Sequence, residues 1–198
     1  MNRTHIGLAA IAAVLVGGWL AGHMNLMAAL AAGAGITVFG LILDERTEFA
    51  DAVSVAAAAG TALIGDVIDL SVARDIGSGR RPLYLVITTD TEIITGGSAG
   101  TISFQLASDA QAAIAVDGSA TVHFATKAYV TDDSAANDAQ LNAGGVIACV
   151  ALPGEGVVYE RFLGILAVIG TTTVTAGKIN AFLTADPKQW KALPDGIA

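Results

Sequence analysis

Three histidines, one cysteine and 18 carboxylates are the groups in this 198-residue chain that could bind a metal or move a proton. His5, His23 and His123 lie far apart, and no His, Cys and carboxylate fall at zinc spacing. His123 sits in an alternating stretch and reads as an outward-facing strand residue. Cys149 lies in the apolar run Gly145-Val-Ile-Ala-Cys-Val-Ala-Leu152, where a small buried thiol is expected rather than a reactive one. Asp132-Asp-Ser-Ala-Ala-Asn-Asp138 is superficially like a calcium loop but lacks the sixth-position glycine and the closing glutamate. Asp66, Asp69 and Asp75 could converge on a cation only if the fold gathered them. Gly96-Gly-Ser-Ala-Gly100 is glycine-rich, yet a β-patterned run follows it. A phosphate cradle needs a helix to open there, so a hairpin turn is expected. Ser54 and Ser71 have no Gly-x-Ser-x-Gly context. The sequence offers no acid/base pair, activated nucleophile, metal site or cofactor fingerprint, and an enzyme is not expected.

The elements around these residues read as β structure. Asp66 to Leu70 is a short strand, and Arg74 to Pro82 a loop with Gly77, Gly79 and Pro82. From Leu83 the period is two, with both faces apolar, as in a central strand. Asp90 to Gly100 reads as a loop. Thr101 to Leu106 alternates with Ile102, Phe104 and Leu106 inward. The Ala-rich stretch Ser108 to Ala115 reads as one or two helical turns, and Asp117-Gly118 as a turn. Thr121 to Val130 is a strand with Val122 and Phe124 on one face and His123, Ala125 and Lys127 on the other. Thr131 to Gly145 is a polar loop. Val146 to Leu152, Tyr159 to Ile169 and Ala176 to Thr184 complete the set, followed by a polar tail. Val53 to Leu63 mixes alanine with Val, Ser, Thr and Gly60, and reads as an extended arm or a marginal helix. About seven or eight strands without intervening long helices predict an all-β, antiparallel β-sandwich or jelly roll.

Charge divides the chain near Leu41. From His5 to Leu43 there is no Asp, Glu, Lys or Arg, and then Asp44, Glu45, Arg46, Glu48 and Asp51 arrive together. Residues 1–40 form an apolar, helix-prone extension, and residues 41–198 are long enough for one domain with its own core. Three readings of the extension stay open. It is a membrane anchor or hairpin turning at Gly22 to Asn25. Or it is a signal peptide with Arg3 at its positive end and Ala29-Leu-Ala31 as a cleavage site. Or it is not part of the working protein. Arg3 is the extension's one formal charge, so the remainder carries nine basic and 18 acidic residues, a net of −9. That balance argues against nucleic acid and against anionic lipid as partners. Charged residues are only 14% of the chain, below the roughly 25% usual for soluble proteins, as if partners cover part of the surface.

Several blocks carry a resemblance. They are Leu41-Ile-Leu-Asp-Glu-Arg-Thr-Glu-Phe-Ala-Asp-Ala52, Val67-Ile-Asp-Leu70, Arg74-Asp-Ile-Gly-Ser-Gly79 with Pro82-Leu83, Arg161-Phe-Leu-Gly164 and Thr175-Ala-Gly-Lys178. In order and spacing they resemble the capsid cement (decoration) proteins of tailed bacteriophages, over most of residues 41–198. The resemblance implies a jelly-roll domain without catalytic activity or cofactor. Such a domain forms homo-oligomers and clamps neighbouring copies of the major capsid protein on the outside of the virion, after assembly in the host cytoplasm. That family opens with a start methionine followed by Ile-Leu-Asp, so Leu41 stands where a non-ATG initiation codon would be read. The candidate contacts with capsid subunits or other copies are Glu48, Phe49, Arg74, Asp75, Arg80, Arg81 and Arg161. Thr47 to Leu63 could add to a neighbour's sheet edge. Alternatively, Arg74 and Arg161 merely pair with Asp75 or Glu160. The competing function is a membrane-anchored or exported β-sandwich binding module, with a membrane as partner only if residues 1–40 are a true anchor.

Overall fold

The computed structural model describes residues 45–187, except 78–80, 97–98, 133–137 and 155. All of these belong to one compact unit, Leu43–Ala198. The apolar extension and its three readings lie outside the described residues. The described strands are β1 (Glu48–Ser54), β2 (Gly60–Asp69), β3 (Tyr84–Ile94), β4 (Gly100–Asp109), β5 (Thr121–Ala125), β6 (Tyr129–Thr131), β7 (Val146–Ala151), β8 (Phe162–Gly170) and β9 (Ala176–Thr184). Short 3₁₀ turns at Glu45–Thr47 and Ala139–Leu141 are the only helical elements among the described residues.

Two antiparallel sheets form a sandwich. One has the order β1-β9-β3-β7; the other has β2-β8-β4-β5, with β6 also on β4. β5 and β6 are two halves of one strand. Between them the Thr126 N–H donates to the Phe104 carbonyl, and the Thr126 hydroxyl oxygen accepts the Phe104 N–H. Counted so, the pairing is nested: β1 with β9, β2 with β8, β3 with β7 and β4 with β5/β6. Folding one long hairpin over on itself produces this order, which is the jelly roll. Between the sheets, the strand alternation delivers Leu85, Ile87, Ile93, Ile102, Phe104, Leu106, Leu163, Ile165 and Ile179, all fully buried.

Several sequence expectations change. Val53 to Leu63 is neither arm nor marginal helix: it ends β1 and begins β2, and both pair within this chain. Thr47 to Leu63 therefore gives one face of main-chain bonds to the chain's own sheets. Alanine's helix preference is overridden because the backbone is held at both ends and the middle: Val53 and Ser54 pair with β9, Ala57 bridges Val174, and Gly60 to Leu63 pair with β8. Asp90 to Ile94 extends β3 rather than forming a loop, and Ile93 is fully buried. Ser108 to Ala115 is not helical. β4 runs on through Asp109, whose carboxylate then accepts the N–H groups of Gln111 and Ala115 and closes the loop. Those two bonds, Ala115 first, hold the Asp109 carboxyl below its usual range. That loop lays Ile114 over the outer face of the second sheet, against Ala107 and Leu166. Gly164 makes room for it, since a Cβ there would lie 2.6 Å from Ile114 Cδ1. Cys149 is exposed rather than buried, because β7 is an edge strand and only one face of it meets the core.

Bulges bend the edge strands toward each other. β1 gains extra residues between Glu48 and Ala50 and again between Ala50 and Val53. At the second bulge Ala52 adopts φ 48°, and its N–H is taken by Asn180 Oδ1 at 2.6 Å. β2 bulges between Ile64 and Ile68, with Gly65 at φ +67°. A Cβ on Gly65 would fall 2.0 Å from the Phe49 carbonyl oxygen, so β1 and β2 close one side of the roll only because this residue has no side chain. Gly65→Ala is expected to lower stability by about 2–4 kcal/mol, from a backbone clash plus left-handed strain. Urea unfolding checks this as a lower midpoint at unchanged slope.

Candidate functional site

The candidate contact residues gather at one end of the roll. In the second sheet Asp69, which ends β2, pairs with Phe162, which begins β8, and Phe162 pairs with Asp109 at the end of β4. In the first sheet Tyr84, which begins β3, pairs with Ala151 and Thr184 at the ends of β7 and β9. The connections 70–83, 110–120 and 152–161 thus emerge together. Arg74, Asp75 and Arg81 lie in the first of them and Arg161 in the last. Glu48, half-buried, begins β1 opposite Phe182 near the same end. Arg80 lies outside the described residues. Phe49 is a correction: it is 1% exposed, held in the chain's own core, and has no side chain to offer a partner.

Two of these connections are zipped together beyond the sheet. Leu70 N–H bonds the Arg161 carbonyl at 2.8 Å, and Arg74 and Tyr159 exchange backbone bonds at 2.9 and 3.0 Å. Side chains reinforce the zip. The Arg161 guanidinium grips Asp69 with two parallel bonds, Nε to Oδ1 at 2.9 Å and Nη2 to Oδ2 at 2.8 Å. It also lies 4.7 Å from the centre of the Phe162 ring. This pair, helped by the Ser71 N–H, lowers the Asp69 carboxyl to about 2. Asp75 accepts N–H groups from Gly77 at 2.9 Å and from Gly156 at 3.1 Å, so one carboxylate spans both loops. The ion pairs expected between neighbours in sequence are replaced. Arg161 takes Asp69 rather than Glu160, and an Arg74 Nη2 donates to the Leu70 carbonyl. Val72 and Val158 stand 58% and 59% exposed beside these charges.

Beneath the zip lies a polar hub that alternation concealed. Ser108 Oγ and His123 Nε2 are 2.7 Å apart, and Ser108 Oγ also accepts the Glu160 N–H at 3.0 Å. The His123 ring packs on Tyr159, centroids 4.1 Å apart, and the Tyr159 hydroxyl donates to the Pro153 carbonyl at 2.7 Å. Glu160 Oε1 accepts the Thr121 hydroxyl at 2.8 Å. His123 was expected to point outward; instead it is half-buried, while Val122 is exposed. The cause is a bulge: Leu106 pairs Phe124 and Ala107 pairs Val122, which leaves His123 as the extra residue. Burial pushes the imidazole below its usual range, with Glu160 pulling the other way. Burial, then Asp75, pushes the Tyr159 hydroxyl up to about 12. A serine beside a histidine and a glutamate is not here the geometry of a nucleophile. Ser108 is fully buried with its oxygen already bonded, and the carboxylate faces Thr121.

The remaining chemical candidates resolve locally. Asp66, Asp69 and Asp75 do not converge: Asp69 serves Arg161, and Asp75 serves backbone amides. Asp138 accepts the Val130 N–H at 2.9 Å and meets Lys127 at 3.4 Å. The middle of the Asp132–Asp138 loop lies outside the described residues, as does part of Gly96–Gly100. Ser54 Oγ accepts the Ala56 N–H. Among the described residues no group of three or more His, Cys, Asp or Glu is arranged to hold a metal ion. None of their helices is long and apolar enough to cross a membrane.

The sequence model of the Bbp16 family matches residues 49–183, from β1 to the penultimate residue of β9. The chain belongs to the Bbp16 family. That match takes in all of the zipped end and the hub, so both are parts of the Bbp16 domain itself. No curated protein matches the chain.

The Asp69–Arg161 grip makes a testable contribution to acid stability. Asp69 has a folded pKa below its unfolded value, so its stabilisation is present above about 3.8 and is lost as pH falls through about 2. Asp69→Asn is expected to flatten the acid limb of the thermal-stability profile in that window. Near neutrality the pair is exposed and screened, so the effect there is small. Thermal unfolding from pH 2 to 7 reads both.

Proposed function

We propose that this Bbp16-family protein is a virion structural protein that binds the outside of a phage capsid and stabilises contacts between major capsid subunits. One observation carries the reading. Of the blocks that resemble cement proteins, Val67 to Leu70 and Arg74 to Gly77 are neighbours in sequence, whereas Arg161 to Gly164 is distant, with Arg161 92 positions from Asp69, yet all three lie in one zipped unit. That unit ends in an exposed surface with Val72, Val158, Arg74 and Arg81. A rigid scaffold that presents loops without a catalytic constellation suits recognition of another protein. Exposed valines ringed by charge suit an interface with an apolar centre and a polar rim. A shell presents its subunits in many copies, so modest affinity per site still yields firm coverage through oligomers.

The test is occupancy of assembled heads. Purified heads mixed with the protein are expected to retain it through sedimentation and to show added outer density in electron micrographs. Val158→Asp with Arg81→Glu, both exposed and outside the zip, is expected to reduce retention by roughly tenfold or more while leaving the thermal midpoint unchanged. Failure of the wild-type protein to bind heads, with recovery in a membrane fraction, overturns the proposal.

A further inference from the structure

The hub beneath the zip has one proton too few places to go. Ser108 Oγ carries one hydrogen and accepts the Glu160 N–H. Ser108 is fully buried, so its own hydrogen must be donated within the protein, and His123 Nε2 lies 2.7 Å away. The neutral ring with its proton on Nδ1 completes this arrangement: Glu160 N–H to Ser108 Oγ, then Ser108 O–H to His123 Nε2. A protonated ring breaks it. Nε2 then becomes a donor, the buried serine hydrogen loses its acceptor, and the hydroxyl rotation that seeks a new one turns the Oγ lone pair away from the Glu160 N–H.

We propose that His123 is the trigger of a proton-operated latch, in which protonation of its ring releases the Glu160 N–H from Ser108 and loosens the zipped end of the roll. The mechanical route is short. Glu160 lies between Tyr159, which exchanges backbone bonds with Arg74, and Arg161, which grips Asp69. The groups facing the ring are Ser108 from β4, and Tyr159 and Glu160 from the connection before β8. Of these only Glu160 bears a charge that favours protonation, and its carboxylate is shared with the Thr121 hydroxyl. Burial opposes it and is the larger influence. The latch is therefore closed at neutral pH and opens on acidification below the ordinary histidine range. Its bearing on shell attachment rests on the function proposed above; the opening itself does not.

Amide hydrogen exchange on the full chain, expressed as protection factors to remove the intrinsic pH dependence of exchange, tests the latch. Between pH 7.5 and 5 the Glu160 amide is expected to lose at least tenfold in protection, while the core amides of Phe104 and Ile165 hold theirs. His123→Gln, whose amide oxygen can accept the Ser108 hydrogen but does not titrate, is expected to keep Glu160 protected at both pH values. Equal protection of wild-type Glu160 at both pH values overturns the latch, as does the same loss in H123Q. Should H123Q fail to fold, the wild-type profile alone decides, with the midpoint of lost protection required to match the His123 ring titration followed by NMR. Retention on heads is measured in parallel. Protein that never binds heads but shows the exchange change refutes the function and keeps the latch. Protein that binds heads equally at both pH values with Glu160 still protected does the reverse.

Discussion

Everything at the candidate end depends on two chain connections being paired with each other after the sheet has stopped. The β2–β8 ladder reaches Asp69 and Phe162, and the backbone bonds Leu70–Arg161 and Arg74–Tyr159 carry it into what would otherwise be separate loops. Loop backbone left unpaired would fluctuate in water and present no fixed surface. Paired, it holds Val72, Arg74 and Val158 in fixed relation to the core. The Arg161–Asp69 fork and the two amides on Asp75 act on the same segments, so side chains and main chain restrain one geometry.

The hub explains how this zip is anchored in the sandwich. Tyr159 is fully buried, with its hydroxyl on Pro153 and its ring on His123. It therefore ties the connection before β8 to the core on one side and to the β5 bulge on the other. The bulge, which at first sight interrupts β5, is the feature that turns His123 inward. Bulges do comparable work at the opposite edge, where Gly65 lets β2 lie against the Phe49 carbonyl. Both sites use a local departure from ladder regularity to bring two elements closer than regular strands would.

The sheet content and fold class were legible because alternation at Leu83 to Thr88, Thr101 to Leu106 and Ala176 to Thr184 is a local signal. What the sequence hid was position within a sheet. The apolar run around Cys149 suggested burial on both faces, yet β7 is an edge and its outer face meets water. Val53 to Leu63 favoured an arm or helix by composition, and only distant β8 and β9 make its two ends strand. The described candidate contacts are placed differently for the same reason. Arg74, Asp75, Arg81 and Arg161 fall on one end, whereas Phe49 is claimed by the core. The partner of Arg161 is Asp69, 92 positions away, which no neighbour-based pairing could find. His123 was misplaced because a single inserted residue reverses the parity on which inward and outward were judged.

The measurement that bears most directly on this account is a solvent-exchange footprint of the protein on assembled capsids, compared with the free protein. If the zipped end is the contact surface, new protection is confined to backbone within 70–77 and 156–161 and to the adjoining start of β3, with the opposite loops, 55–59 and 171–175, unchanged. Protection concentrated on those opposite loops, or on the exposed face of β7 around Cys149, would contradict it.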